Sequence, residues 1–137
     1  MALIISIFAG GGLGALLRYG VISNISKILP STFPYGTLTV NILGALLIGI
    51  VYSLLSQKIS ISENLKLFIT VGFLGGFTTF STFNLDFFQL IESSKIAAAM
   101  IYALGTFITT IIGFYAGYSV IRPVSYTHLR AHETRGN

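Results

Sequence analysis

The feature that most constrains this chain is where its charges are missing. Residues 1–17, 28–57, 67–85 and 96–121 contain no Asp, Glu, Lys or Arg. A helical crossing of a bilayer core takes roughly 20 predominantly apolar residues, so each run supplies one crossing. A soluble helix bundle needs a charged outer face on every helix, and these runs have none. Charged residues make up only 9% of the chain, against about 25% in an ordinary soluble domain. Consecutive apolar positions also exclude a membrane β-barrel, whose strands alternate apolar and polar residues over about ten-residue segments. The expected fold class is therefore an all-α membrane protein with four transmembrane helices.

The expected spans run from Ala2 to Ser23, Tyr35 to Ser56, Leu67 to Asp86 and Ile96 to Ile121. Pro30 and Pro34 lie in the first connection, and Arg122 with Pro123 is expected to close the last span. The first apolar run has no basic residue before it and is too long for a typical signal-peptide core. The spans, taken as residues 1–122, leave no room for a second domain. The remainder, 123–137, is polar, and its string SYTHLRAHET resembles non-native read-through. His128 and His132 have a helical spacing that can hold a metal, but on a short polar tail no function is assigned to them. The absence of cysteine removes disulfides, thiolate metal sites and cysteine nucleophiles. The net charge of +4 is scattered singly between hydrophobic runs, so nucleic acid is not an expected partner.

Basic residues in cytoplasmic connections set the orientation of a membrane protein. With the tail set aside, Arg18, Lys27 and Lys95 fall on one side, and Lys58, Lys66 and Arg122 on the other. Balanced charge gives insertion no instruction, which favours copies inserted both ways and an antiparallel dual-topology homodimer. The competing reading is a fixed side chosen by other features.

Polar groups inside spans are costly and face protein or a wet cavity. Residues 72–84 combine adjacent glycines with Thr78, Thr79, Thr82 and Ser81, whose hydroxyls compete for backbone bonds. Two readings fit: a third helix broken mid-membrane, or a bent continuous helix whose glycines serve close packing. Phe80 and Phe83 share a helix face. Their positive ring edges can favour an anion without holding it too tightly for release, and the plainer reading is packing. Tyr102, Thr106 and Thr110 follow one another at four-residue intervals, as a conducting stripe of hydroxyls or as hydroxyls bonded back to their own helix. Gly105, Thr109, Gly113 and Gly117 form a neighbouring small-residue stripe. Asn41 is the one amide of the second span and offers an N–H donor. Arg18 either snorkels to the interface or lines an anion-attracting vestibule.

The segments GGGLGALLRY (10–19), GTLTVNILGALLIG (36–49) and GFLGGFTTFSTFNLD (72–86) resemble the three signature blocks of the CrcB/Fluc fluoride channels, in order and on successive spans. The resemblance covers essentially residues 1–122, and GGFTTFSTF is its most specific segment. It implies passive, voltage-driven fluoride export through two pores at the interfaces of an antiparallel homodimer in the cell inner or plasma membrane, with no enzymatic activity. It implies a fluoride path lined by Asn41, Phe80, Phe83, Ser81, Thr82, Tyr102, Thr106 and Thr110, and a vestibule arginine at Arg18. It also implies a structural sodium ion held by the backbone carbonyls of Gly75 and Thr78 from both copies. Threonine stands at 106 and 110 where the family often has serine, and Asp86 stands where a glutamate is common.

Three other classes fit worse. A small multidrug-type proton-coupled transporter needs a carboxylate in the first span, and the first acidic residue is Glu63, in a connection. The string GGGLGA (10–15) matches a dinucleotide-binding pattern, but no acidic residue follows at about twenty positions and no strands accompany it. A purely structural subunit would leave Asn41, the phenylalanine pair and the hydroxyl stripe without a purpose.

Overall fold

The computed structural model describes the backbone of residues 1–135 and the side chains of residues 1–121. It is all helical, with no strand among the described residues. Four stretches, Ala2–Ile28, Tyr35–Ser56, Glu63–Glu92 and Ile96–Ile121, are long and apolar enough to cross a membrane. The histidines of the tail lie outside the described side chains.

Helix α1 (Ala2–Ile28) runs past the expected end at Ser23, because nothing breaks it before Leu29, which is extended ahead of Pro30. Helix α2 (Tyr35–Ser56) starts directly after Pro34. The third crossing is built in pieces: α3 (Glu63–Leu67), a π-helical stretch π1 (Phe68–Leu74), α4 (Gly75–Phe77) and α5 (Phe80–Glu92). It begins earlier than Leu67, since Ser62 caps α3 by accepting the Leu65 N–H at 3.2 Å. Between α4 and α5, Thr78 and Thr79 are extended, with ψ of 157° and 121°. Helix α6 (Ile96–Arg135) continues through the proline expected to end it. Proline's fixed φ is compatible with helix, and its cost is a lost N–H bond and a kink.

Glycine decides how closely the helices approach. A Cβ on Gly10 or Gly14 of α1 would collide with the carbonyl oxygens of Phe68 and Phe73, and Gly72 answers from the other side, its added Cβ 2.7 Å from the Ile7 carbonyl. The seam between α1 and residues 68–77 is therefore backbone against backbone. A second seam joins α2 to α6, with Gly49 on the Phe114 carbonyl and Gly117 on the Leu46 carbonyl. The small-residue stripe of α6 serves packing only in its second half, since Gly105 has open space where a side chain would sit. Leu90, Ala99 and Tyr102 form a core at the end of the bundle where α5 turns into α6, with Phe33, Leu38, Phe83 and Phe87 packed on it. Large apolar side chains such as Ile4, Phe8, Leu16, Phe107 and Ile112 cover the outside, as a hydrocarbon solvent requires.

Candidate functional site

Between α2, the third crossing and α6 lies a groove of about 500 Å³. Asn41 comes from α2, Gly75 from the start of α4, Thr78 and Thr79 from the extended residues, Phe80 and Phe83 from α5, and Thr106 and Thr110 from α6. No charged side chain lines it.

The groove exists because the third crossing leaves helical geometry beside α2. Asn41 Oδ1 accepts the Thr79 N–H at 2.8 Å, and its Nδ2 donates to the Thr79 carbonyl at 3.0 Å. The Thr79 hydroxyl accepts the Thr82 N–H at 3.1 Å, capping α5, and lies 3.3 Å from the Ser81 hydroxyl. In an uninterrupted helix the Thr79 N–H would bond to the Gly75 carbonyl and the Thr82 N–H to the Thr78 carbonyl. Both donors are directed elsewhere, so two groove-lining carbonyls are released from the helix ladder. The Thr78 hydroxyl donates to the Leu74 carbonyl at 2.9 Å, and its methyl fills the space a side chain at Gly44 would need.

The rings of Phe80 and Phe83 stack with centroids 5.5 Å apart, Phe80 at the open rim and 75% exposed. The hydroxyls on α6 differ. Thr110 Oγ1 donates to the Thr106 carbonyl at 2.7 Å, whereas Thr106 Oγ1 is buried and has no partner. In a dry site an unpartnered hydroxyl is costly, and it remains available to whatever enters the groove.

Tyr102 stands behind the groove rather than in its lining. It is fully buried, packs on Phe83 at 5.0 Å and on the edge of Phe33 at 5.5 Å, and donates its hydroxyl to Asp86 Oδ2 at 3.1 Å. That bond gives Asp86 a role the sequence left open. Asp86 and Phe33 line a separate pocket of about 540 Å³ at the end of the bundle, together with Glu92 and Lys95. Ser81 and Thr82 lie in the first turn of α5, outside the groove lining. Arg18, half-buried on α1, also lies outside it. The sequence marks Thr79 only as one of several hydroxyls that compete for backbone bonds, and does not mark Gly44. Threonine is among the residues that favour a helix N-cap, but several neighbouring hydroxyls share that property, so no spacing marks the first, and no local signal marks the second.

Residues 5–118 match the family described as CrcB-like protein, Camphor Resistance (CrcB). Curated relatives include a fluoride-specific ion channel FluC of Nitrobacter winogradskyi, 40% identical over 88% of this chain and 96% of that protein. A Methylobacterium protein of the same name is 42% identical over 85% of this chain and 93% of its own length. A third, from Phocaeicola vulgatus, is 41% identical over 85% and 96% respectively.

Proposed function

The chain belongs to the CrcB family, and on that premise we propose that it is a fluoride-selective channel through which the membrane potential expels fluoride and relieves its toxicity. The observation that carries this reading is the chemistry of the groove: two aromatic rings, an amide and an unpartnered hydroxyl converge there without a formal charge. Donors of this kind favour a small anion and still release it, whereas a buried cation would hold it. HF crosses the bilayer neutral and ionises inside. An inside-negative potential then drives the anion out, by about 2.3 kcal/mol per charge per 100 mV.

The pore is completed by a second, oppositely inserted copy in the inner or plasma membrane, which covers the open face bearing Phe80. Asn41, Phe80, Phe83, Thr106 and Thr110 line the path; Ser81 and Thr82 follow Phe80 at its rim, Tyr102 backs Phe83 from behind, and Arg18 draws anions to the vestibule. The third crossing is broken mid-membrane, a reading supported by the extended residues Thr78 and Thr79. The freed carbonyls of Gly75 and Thr78 suit a hard alkali cation, and paired with those of a second copy they would hold a structural sodium ion between the two chains.

Purified protein in liposomes releases fluoride, and scarcely any chloride, when a potassium gradient with valinomycin sets the voltage. Equal efflux of both anions removes the selectivity. Because the chain has no cysteine, one cysteine introduced at Ser94 reports orientation: an impermeant maleimide outside cells labels about half the copies if insertion is dual. All or none labelled rules out the antiparallel dimer.

A further inference from the structure

An extended residue between two helical segments of a membrane span leaves its N–H without a helical partner, and hydrocarbon offers no water to replace it. Thr79 is such a residue: its carbonyl, at the cap of α5, is placed to accept the first bond of that helix, and the Asn41 side chain supplies the missing acceptor for its N–H together with a further donor to that carbonyl. The two bonds from Asn41, at 2.8 and 3.0 Å, reproduce the reciprocal exchange that a neighbouring β-strand makes. The pairing also fixes the amide's orientation, because exchanging its oxygen and nitrogen would set donor against donor and acceptor against acceptor. The next residue after Thr79 is Phe80, and Phe83 follows within one helical turn. Whatever holds Thr79 therefore sets where α5 begins and where both rings stand.

We propose that Asn41 is a positioning residue: it serves as a one-residue strand partner that holds Thr79 extended and thereby places the rings of Phe80 and Phe83 at the groove. One Nδ2 hydrogen remains beyond the bond to Thr79, and the clamp aims it along a fixed direction. The clamp stands independently of which ion passes; only its effect on conduction rests on the channel reading.

The test is made without fluoride, so that no anion bound at Asn41 contributes. In the unaltered protein the Thr79 amide exchanges hydrogen slowly, like those of neighbouring helical residues, although no backbone carbonyl serves it; fast exchange there overturns the proposal without any variant. In Asn41→Ala, with the protein still eluting as the unaltered one does, Thr79 exchange rises by about tenfold, the loss expected when a protecting bond worth about 1.4 kcal/mol is removed. In the same variant the ¹⁹F resonance of a fluorophenylalanine at Phe80 moves, while one at Phe8, exposed on α1, does not. Unchanged protection at Thr79, or an unmoved signal at Phe80, means that Asn41 positions nothing. Failure of the channel reading is seen separately, as absent fluoride efflux from the unaltered protein.

Discussion

The third crossing is held in opposite ways on its two sides. Toward α1, residues 68–77 are held by what is missing: Gly10, Gly14 and Gly72 let main chain meet main chain. Toward α2, the crossing is held by a side chain that stands in for main chain, Asn41 on Thr79. In lipid the hydrophobic effect does not press helices together, so association draws on close packing and on polar bonds. This molecule assigns the two to separate faces. The seam permits no adjustment, and the groove keeps unspent hydrogen-bonding capacity at Thr106 and at two released carbonyls.

The harshest way to break the comparison is to add one carbon to the seam. Gly14→Ala drives its Cβ into the Phe73 carbonyl oxygen and to 2.9 Å from the Phe77 nitrogen, and backbone cannot swing aside as a side chain can. The expected cost is about 3 kcal/mol, seen as a large fall in melting temperature or loss of folded protein. Gly12, two residues away, meets nothing within 4 Å, so Gly12→Ala is neutral or gains up to about 1 kcal/mol from helix propensity. Equal losses at both positions would mean that helix flexibility, not contact, explains the glycines.

On the groove side the largest effect falls on flux with stability retained. Phe80→Ile leaves the melting temperature nearly unchanged, because the ring is mostly exposed within one chain, and lowers fluoride efflux about tenfold through loss of ring-edge contacts worth about 1.4 kcal/mol. Unchanged flux would make the ring a packing residue.

Four crossings were legible because charge is excluded from hydrocarbon whatever the tertiary structure. The ends of the helices were less so: α1 runs on to Ile28 and the third crossing starts at Glu63, since an end depends on a local breaker or cap more than on polarity. The groove was legible as a set of residue types and much less as a geometry. Asn41 and Thr79 are 38 positions apart, and their pairing depends on how α2 and the third crossing are rotated. The π-helical stretch, which packs against α1, carries no composition of its own. The hydroxyl stripe on α6 diverges for a geometric reason. A step of four residues overshoots one turn by about 40°, so Tyr102 and Thr110 differ by about 80° around the axis. Thr110 lines the groove while Tyr102 turns behind it to Asp86.

The two threonines of α6 sharpen the comparison within the groove. Thr106→Val removes a buried hydroxyl that has no partner, so the folded protein gains about 1 kcal/mol while fluoride flux falls about fivefold, the value of one neutral hydrogen bond. Thr110→Val removes a hydroxyl already bonded to the Thr106 carbonyl, and its effect on flux is smaller. If the two variants behave alike, the unpartnered hydroxyl has no special part in conduction.

The smallest effect comes from outside both regions and sets the baseline for reading the others. Ser94, in the turn between α5 and α6, has φ of 59°, a left-handed conformation that costs a non-glycine residue about 1 kcal/mol. The turn closes with the Lys95 N–H on the Leu90 carbonyl at 2.8 Å and the Ser94 N–H on the Ile91 carbonyl at 3.0 Å, the pattern glycine serves best at a helix end. Ser94→Gly therefore raises stability by about 0.5–1 kcal/mol and leaves fluoride efflux as it was, a gain measurable as a shift in melting temperature against unchanged liposome flux. If this remote stabilisation altered flux as well, conduction would track overall stability. Losses at Phe80 and Thr106 could then no longer be assigned to the groove, and the division between a packing face and a conducting face would fail.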